Sequence, residues 1–275
     1  MMTPGMKASE NRSARTRNIL LLGGTGEASA LAQALAARDD LGVTLSYAGR
    51  VAQPKAQPVA IRVGGFGGVA GLRDYLQAHA IDAVIDATHP FAAQMSANAV
   101  TACAGAGVPL VALERPAWQA TAADRWIEVS DLEGAAEYLA QSEPSPRNVF
   151  LAIGRLHLHH FARAPQHRYT VRLIDEPGEA LPLPQVAALI ARGPFTVEGD
   201  AALLRERAID LIVAKNSGGA GAFAKIAAAR SLGLPVIMIA RPDIPARARV
   251  ESVAQVIDWL DHTAPSGGAP AQRGV

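Results

Sequence analysis

Apolar residues fall into short runs of strand length, and most runs are followed by a stretch in which alanine and leucine recur at helical spacing. In the first half the runs extend from Ile19 to Leu22, Val43 to Tyr47, Val59 to Val63, Ala83 to Asp86, Pro109 to Leu113 and Trp126 to Val129. Helical patterns run from Ala28 to Ala37, Val69 to His79, up to about Ala106, and from Asp131 to Ala140. In the second half strands are expected from Asn148 to Ile153, Tyr169 to Ile174, Phe195 to Val197, Leu211 to Ala214, Pro235 to Ile239 and Arg249 to Glu251. Helices are expected from Pro184 to Ala191, from a start at Glu198, Gly199 and Asp200, up to Leu232, and from Val253 to Asp261. Alternating strands and helices predict an α/β fold with mainly parallel sheets, with ligands bound beyond the carboxyl ends of the strands.

Two stretches follow one plan. Ile81 to Pro116 reads strand, polar loop, helix, strand, Arg-Pro, and Ile209 to Pro242 repeats it with a two-residue difference in spacing. Ile81 and Asp82 match Ile209 and Asp210; Gly107, Pro109, Arg115 and Pro116 match Gly233, Pro235, Arg241 and Pro242. Duplication and convergence both account for the echo. Glu143, Pro144, Ser145, Pro146 and Arg147 form a short linker of domain-boundary composition. The division expected is therefore a domain at 18–142, a linker at 143–147 and a second domain at 148–262, with flexible tails at 1–17 and 263–275.

The clearest chemical signal lies where the first strand meets the first helix. Gly23, Gly24, Thr25, Gly26, Glu27 and Ala28 make a tight strand–turn–helix corner, and helix N-termini with exposed amides favour anionic phosphate. Gly24, Gly26 and Ser29 approach the dinucleotide glycine fingerprint, with serine in the third glycine's place. Any βα corner also needs small residues, so the glycines alone leave the ligand open. About 20 residues beyond such a turn an acid usually holds the ribose hydroxyls of NAD, whereas arginine accommodates a 2′-phosphate. Here Arg50 stands near the end of the second strand, with Ser46 as a possible helper, which indicates NADPH; a solvated loop arginine is the alternative. The second half has no such glycine fingerprint at its first strand, so its expected task is substrate contact and closure of an active-site cleft between two Rossmann-like domains.

Thr88 and His89 follow a strand in the glycine-bearing half, and Lys215, Asn216, Ser217 and Gly218 occupy the matching loop of the other. These are candidate cofactor and positioning groups, His89, Lys215 and Ser217 being the candidate catalytic residues; turn and cap roles explain the same residues. Arg115, Arg155 and Arg241 at strand ends, with Arg172 in a strand and Lys215, suit a substrate bearing several carboxylates, because guanidinium groups bind carboxylates bidentately. Gly64, Gly65, Gly67 and Gly68 around Phe66 imply special backbone conformations or a close ligand. His157, His159 and His160 lack the same-face spacing of a metal pair, and no metal is expected.

Composition narrows the partners. Apolar residues are 49% of 275, ample for a core, and a net charge of +1 offers no general attraction to nucleic acid. The single Cys103 excludes a disulfide framework and reads as a small buried filler. No run reaches the roughly 18 apolar residues of a membrane span and no signal-peptide pattern opens the chain, so a soluble cytoplasmic protein without membrane partners is expected, its oligomeric state open with a monomer favoured.

Taken together the motifs resemble the precorrin-6A reductases of cobalamin biosynthesis from about Ile19 to Leu260. The likeness rests on GGTGEA at Gly23 to Ala28, AGR at Ala48 to Arg50, VGGFGG with GL at Val63 to Leu72, DATHPFA at Asp86 to Ala92, RPxW at Arg115 to Trp118, GPF at Gly193 to Phe195, KNSGG at Lys215 to Gly219, and ARP at Ala240 to Pro242. Their order makes the match specific. The resemblance implies NADPH-dependent reduction of the precorrin-6A tetrapyrrole to precorrin-6B by an enzyme of two domains. It also implies cofactor elements at Gly23 to Ala28 and Arg50, and cleft motifs at Thr88, His89, Lys215, Asn216 and Ser217. An S-adenosylmethionine-dependent methyltransferase shares the glycine turn but has no use for a cation at Arg50. A non-catalytic NADPH sensor would not need the second half.

Overall fold

A computed structural model describes residues 15–48, 56–141 and 145–263. Arg50, the linker residues Glu143 and Pro144, and most of both expected tails lie outside them. In order the elements are β1 (Arg17–Leu22), α1 (Gly26–Leu35), β2 (Leu41–Tyr47), β3 (Ala60–Val63), α2 (Gly68–Ala78), β4 (Ala83–Asp86), α3 (Ala93–Ala106), β5 (Leu110–Leu113), β6 (Arg125–Val129) and α4 (Leu132–Gln141). They continue with β7 (Asn148–Ala152), a 3-10 helix (Arg155–Arg163), β8 (Arg168–Leu173), β9 (Val186–Ile190), α5 (Val197–Glu206), β10 (Leu211–Lys215), α6 (Ala224–Ser231), β11 (Pro235–Ile239), β12 (Ala248–Val250) and α7 (Val253–His262). No helix of the described residues is long and apolar enough to cross a membrane.

The strands form two six-stranded sheets in the orders β12-β5-β4-β1-β2-β3 and β6-β11-β10-β7-β8-β9. Every strand pairing is parallel. Central strands of parallel sheets are covered on both faces and read as unbroken apolar runs. Ile19, Leu20 and Leu21 of β1 are accordingly fully buried, each such side chain contributing about 1.5–3 kcal/mol. On α1 the buried residues Ala28, Leu31, Ala32 and Leu35 recur at i, i+3, i+4 and i+7, one face against the sheet. Cys103 is buried, which pushes its thiol up to about 12, as suits a core filler.

The internal echo extends to atoms. Asn18 N and Asp82 Oδ2 bond at 2.8 Å in one unit, and Asn148 N and Asp210 Oδ2 at 2.8 Å in the other. Ala80 and Ala208 both adopt positive φ, of 45° and 47°, and Gly107 and Gly233 end corresponding helical segments at 65° and 64°.

The two units do not follow the boundary expected at residue 142. Of the described residues, one comprises those up to Thr88, Asn98–Leu113 and those from Arg247 on; the other comprises His89–Ala97 and those between Glu114 and Ala246. β6 and α4, expected to end the first domain, join the second sheet through β11, while β12, expected in the second, pairs with β5. Apolar pattern identifies a strand but not the edge it joins, and both segments present the same alternation to either sheet.

Two element assignments are corrected. The expected helix from Pro184 to Ala191 is the edge strand β9, for a five-residue apolar segment is too short to discriminate and the open edge of β8 supplies its hydrogen bonds. The expected strand from Phe195 to Val197 is a helix start: Thr196 caps α5, its Oγ1 accepting from Gly199 N at 3.1 Å, with Glu198 and Asp200 in the first turn.

Candidate active site

The first unit carries the glycine corner. Thr25 is the N-cap of α1: its Oγ1 accepts from Ala28 N at 3.1 Å and donates to Ala87 O at 2.8 Å, tying the turn to the end of β4. A Cβ on Gly23 would overlap Leu45, and it would lie 3.3 Å from the Ala28 Cβ. Gly24, at φ 120°, and Gly26 have open space instead. The tight helix–strand contact is thus made by Gly23 and Ala28, one residue earlier than the frame built on Gly24 and Ser29. Ser29 packs elsewhere, its Oγ accepting from Gln57 Nε2 at 3.1 Å. In that frame the close-packing position is filled by alanine, which the fingerprint allows, and Thr25 takes the middle place.

Ser46 is buried at the end of β2 and accepts from Arg62 Nη1 at 3.3 Å. Arg62, on β3, was not singled out from sequence. Its guanidinium also donates to Gly64 O and Gly65 O and lies 3.8 Å from the Phe66 ring centroid. The VGGFGG run is therefore wrapped around one arginine. Gly71 belongs with it, because a Cβ there would overlap Phe66 O. An arginine followed by glycines at a strand end was the available signal.

At the end of β4, Asp86 is 3% exposed and its Oδ1 accepts from Thr88 N at 3.1 Å and Thr88 Oγ1 at 2.7 Å. Arg247, 8% exposed, approaches the other oxygen at 3.8 Å. Thr88 is thereby held by a buried ion pair whose cation lies far away in sequence.

The second unit carries the polar loop. Asn216 Oδ1 accepts from Trp118 N at 2.8 Å and its Nδ2 donates to Trp118 O at 2.9 Å, so the side chain clamps another backbone. Ser217 is buried, and its carbonyl accepts from Arg115 Nε at 2.7 Å and Arg241 Nη2 at 3.2 Å. Arg241 also donates to Asn216 O and, at 3.0 Å, to Glu114 Oε1. Arg115 and Arg241, expected as carboxylate binders, thus brace the Asn216–Gly218 loop. Gly218, at φ 68°, passes against Pro116 O. Lys215 Nζ stands 5.2 Å from the Phe91 ring centroid. Arg155 is exposed at the start of the 3-10 helix, and Arg172 is buried in an ion pair with Asp200. His160 in the same 3-10 helix meets Glu133 at 3.1 Å, and the described residues contain no group of three side chains set to share a metal ion.

His89 Nδ1 accepts from Phe91 N at 3.2 Å, which leaves the neutral ring's proton on Nε2. Burial, reinforced by the positive charges of Arg115, Lys215, Arg241 and Lys225, lowers its pKa to about 4. His89 is therefore neutral near pH 7 and offers an imidazole N–H rather than an imidazolium. Its pKa is lower folded than unfolded, so the unfolded chain binds the extra proton between about pH 6.5 and 4. Stability should be full above pH 6.5 and fall on acidification through that window. Urea midpoints measured from pH 7 to 4 should show less of this fall in His89→Gln; an unchanged slope would remove His89 as its source.

Two parallel sheets, one entered through a capped glycine corner, define a Rossmann-like α/β protein. The model of the family described as precorrin-6x reductase CbiJ/CobK matches residues 18–261. The precorrin-6A reductase of Rhodobacter capsulatus is 58% identical over 251 residues, 91% of this chain and 98% of that protein. That of Rhodococcus erythropolis is 46% identical over 243 residues, 88% of this chain and 96% of that protein. A solved structure of CobK precorrin-6A reductase superposes with a TM-score of 0.84 at 56% identity, covering 92% of this chain and all of the other. The chain belongs to the precorrin-6A reductase family, oxidoreductases of cobalamin biosynthesis.

Proposed function

We propose that this chain reduces the precorrin-6A macrocycle to precorrin-6B with NADPH as hydride donor. The observation that carries the cofactor half of this reading is the Gly23–Ala28 corner, where Thr25 fixes the α1 N-terminus and the open space at Gly24 and Gly26 would admit a phosphate to the backbone. The substrate half rests on the two relatives, both named for precorrin-6A. Bound NADPH would supply the hydride at nicotinamide C4.

The chain's own residues would bind and orient. Gly24, Thr25, Gly26 and Glu27 would border the pyrophosphate, with the Glu27 carboxylate tending to oppose it. Arg50 would take the 2′-phosphate, and Ser46 would act through Arg62, which it already holds. Asn216, Ser217 and Gly218 form a braced loop of fixed shape, and fixed positioning is what a hydride-transfer site asks of its protein. His89, neutral, would donate a hydrogen bond from Nε2 without supplying a full proton. Lys215, Arg155 and Arg172 would face substrate carboxylates.

Anaerobic turnover with metal-free and cobalt-containing precorrin-6A, followed by NADPH absorbance, tests the reaction; no oxidation with either would refute it. For cofactor choice, Arg50→Ala should raise the NADPH Kd about tenfold or more while changing that for NADH little, as expected for loss of a charge-assisted contact to phosphate. Equal losses for both cofactors would sink the 2′-phosphate assignment.

A further inference from the structure

The second unit holds a cavity of about 210 Å³, open to solvent on part of its surface, lined among others by Phe150, Ala152, Arg172, Phe195, Asp200 and Lys225. Ala152 ends β7 and Arg172 lies near the end of β8, the sheet end where parallel α/β folds bind ligands. Its lining combines phenylalanine, alanine and glycine with three charged side chains. There Arg172, 12% exposed, pairs with Asp200, 4% exposed, while its guanidinium lies 4.0 Å from the Phe195 ring centroid and 5.2 Å from that of Phe150. Arg172 Nε is buried and has no hydrogen-bond partner among the described residues. Lys225, in the first turn of α6, donates from Nζ to Ala222 O at 2.6 Å, which engages one of three ammonium protons.

The lining therefore holds two cations and one carboxylate. A single negative charge balances it, whereas a phosphate dianion would place excess charge beside buried Asp200. The phenylalanine and alanine walls suit an alkyl stem, and the volume suits a short one. We propose that this cavity receives one carboxylate arm of the tetrapyrrole substrate, with Lys225 Nζ and Arg172 Nε as donors and Phe150 and Phe195 against the stem. The assignment rests on the proposed function only for the identity of the carboxylate's owner. It adds Lys225, which nothing in the motif pattern marked.

The ammonium's condition agrees with this geometry. Burial lowers the Lys225 pKa to about 8; Asp200 opposes that shift, and Arg172 and Arg115 add to it. An arriving carboxylate would restore the charged form, so kcat/KM for the macrocycle should fall as pH rises through about 8 in the wild type and stay level in Lys225→Arg.

Two arms test the proposal on the full chain. In turnover, Lys225→Met should raise KM for the macrocycle at least tenfold with kcat and the NADPH Kd within about twofold, and Lys225→Arg should recover most of the loss. In direct titration followed by NMR, propionate should bind the wild type, propionamide at least tenfold more weakly, and inorganic phosphate should fail to displace propionate. Ala222→Leu, which narrows the cavity without adding or removing a charge, should exclude propionate, and it serves if Lys225→Met melts early. An unchanged macrocycle KM in Lys225→Met, a raised NADPH Kd instead, or displacement of propionate by phosphate would each overturn the proposal. If the wild type turns over neither macrocycle, the functional reading fails, and the propionate arm still decides whether the cavity is a carboxylate site.

Discussion

Gly218→Ala should lower stability by about 3–5 kcal/mol and kcat/KM about a hundredfold. At φ 68° an L-residue is strained by about 1–2 kcal/mol before any contact is considered. The added Cβ would also overlap Pro116 O and Arg241 Nη2, so the loop must move away from the arginine that braces it. Movement breaks or lengthens the bonds from Arg115 and Arg241 to Ser217 O and pulls Asn216 from the Trp118 backbone. Urea midpoints and steady-state kinetics measure the two losses. Gly221→Ala is the control for stability: nothing lies within 4 Å of its Cβ, so its unfolding free energy should stay within about 0.5 kcal/mol of the wild type. Equal midpoints for the two variants would show that the loop tolerates displacement and that its bracing is slack.

Asp86→Asn should cost about 3 kcal/mol or more, seen in the same urea experiment. Asp86 and Arg247 are both buried, and an amide leaves the guanidinium without its facing carboxylate in a medium where water cannot compensate. Thr88 would suffer as well, because both its amide and hydroxyl donate to Asp86 Oδ1. Thr88→Val keeps the ion pair and removes one hydrogen bond, so it should cost only about 1 kcal/mol. If Asp86→Asn matched Thr88→Val, the pair's long 3.8 Å separation would mean that it contributes little.

Much of the architecture was legible because β1, β4, β7, β10 and β11 lie inside parallel sheets and betray themselves as continuous apolar runs. The edges were less so. β9 carries alanine and leucine on an exposed rim, where local preference is weak and pairing decides, so its sequence alone reads as a helix. The exchange of β6 and β12 leaves no local mark at all, since pairing across more than 100 residues is a property of the whole chain. In the candidate site the glycine corner and the polar loop are legible as segments, but the duties of their side chains are not. Arg115 and Arg241 have the right chemistry for a substrate carboxylate, and both bond to the Ser217 carbonyl, an oxygen invisible to any residue pattern, Arg241 reaching the Glu114 carboxylate as well. Arg62 and Lys225 escaped notice because each becomes distinctive only through what folding brings to it: three oxygens and a ring for one, a cavity wall for the other.

The exchanged segments also set an order on synthesis. β12 and α7 leave the ribosome after all six strands of the second sheet, yet β12 covers the free edge of β5, and Val256 and Leu260 of α7 fill the core under β1 and β5. Domains generally fold in the order they are made. Here the unit built on β1 is completed only after every strand of the other has been made, and a nascent polypeptide carrying its entire glycine corner still awaits the strand and helix that close its sheet.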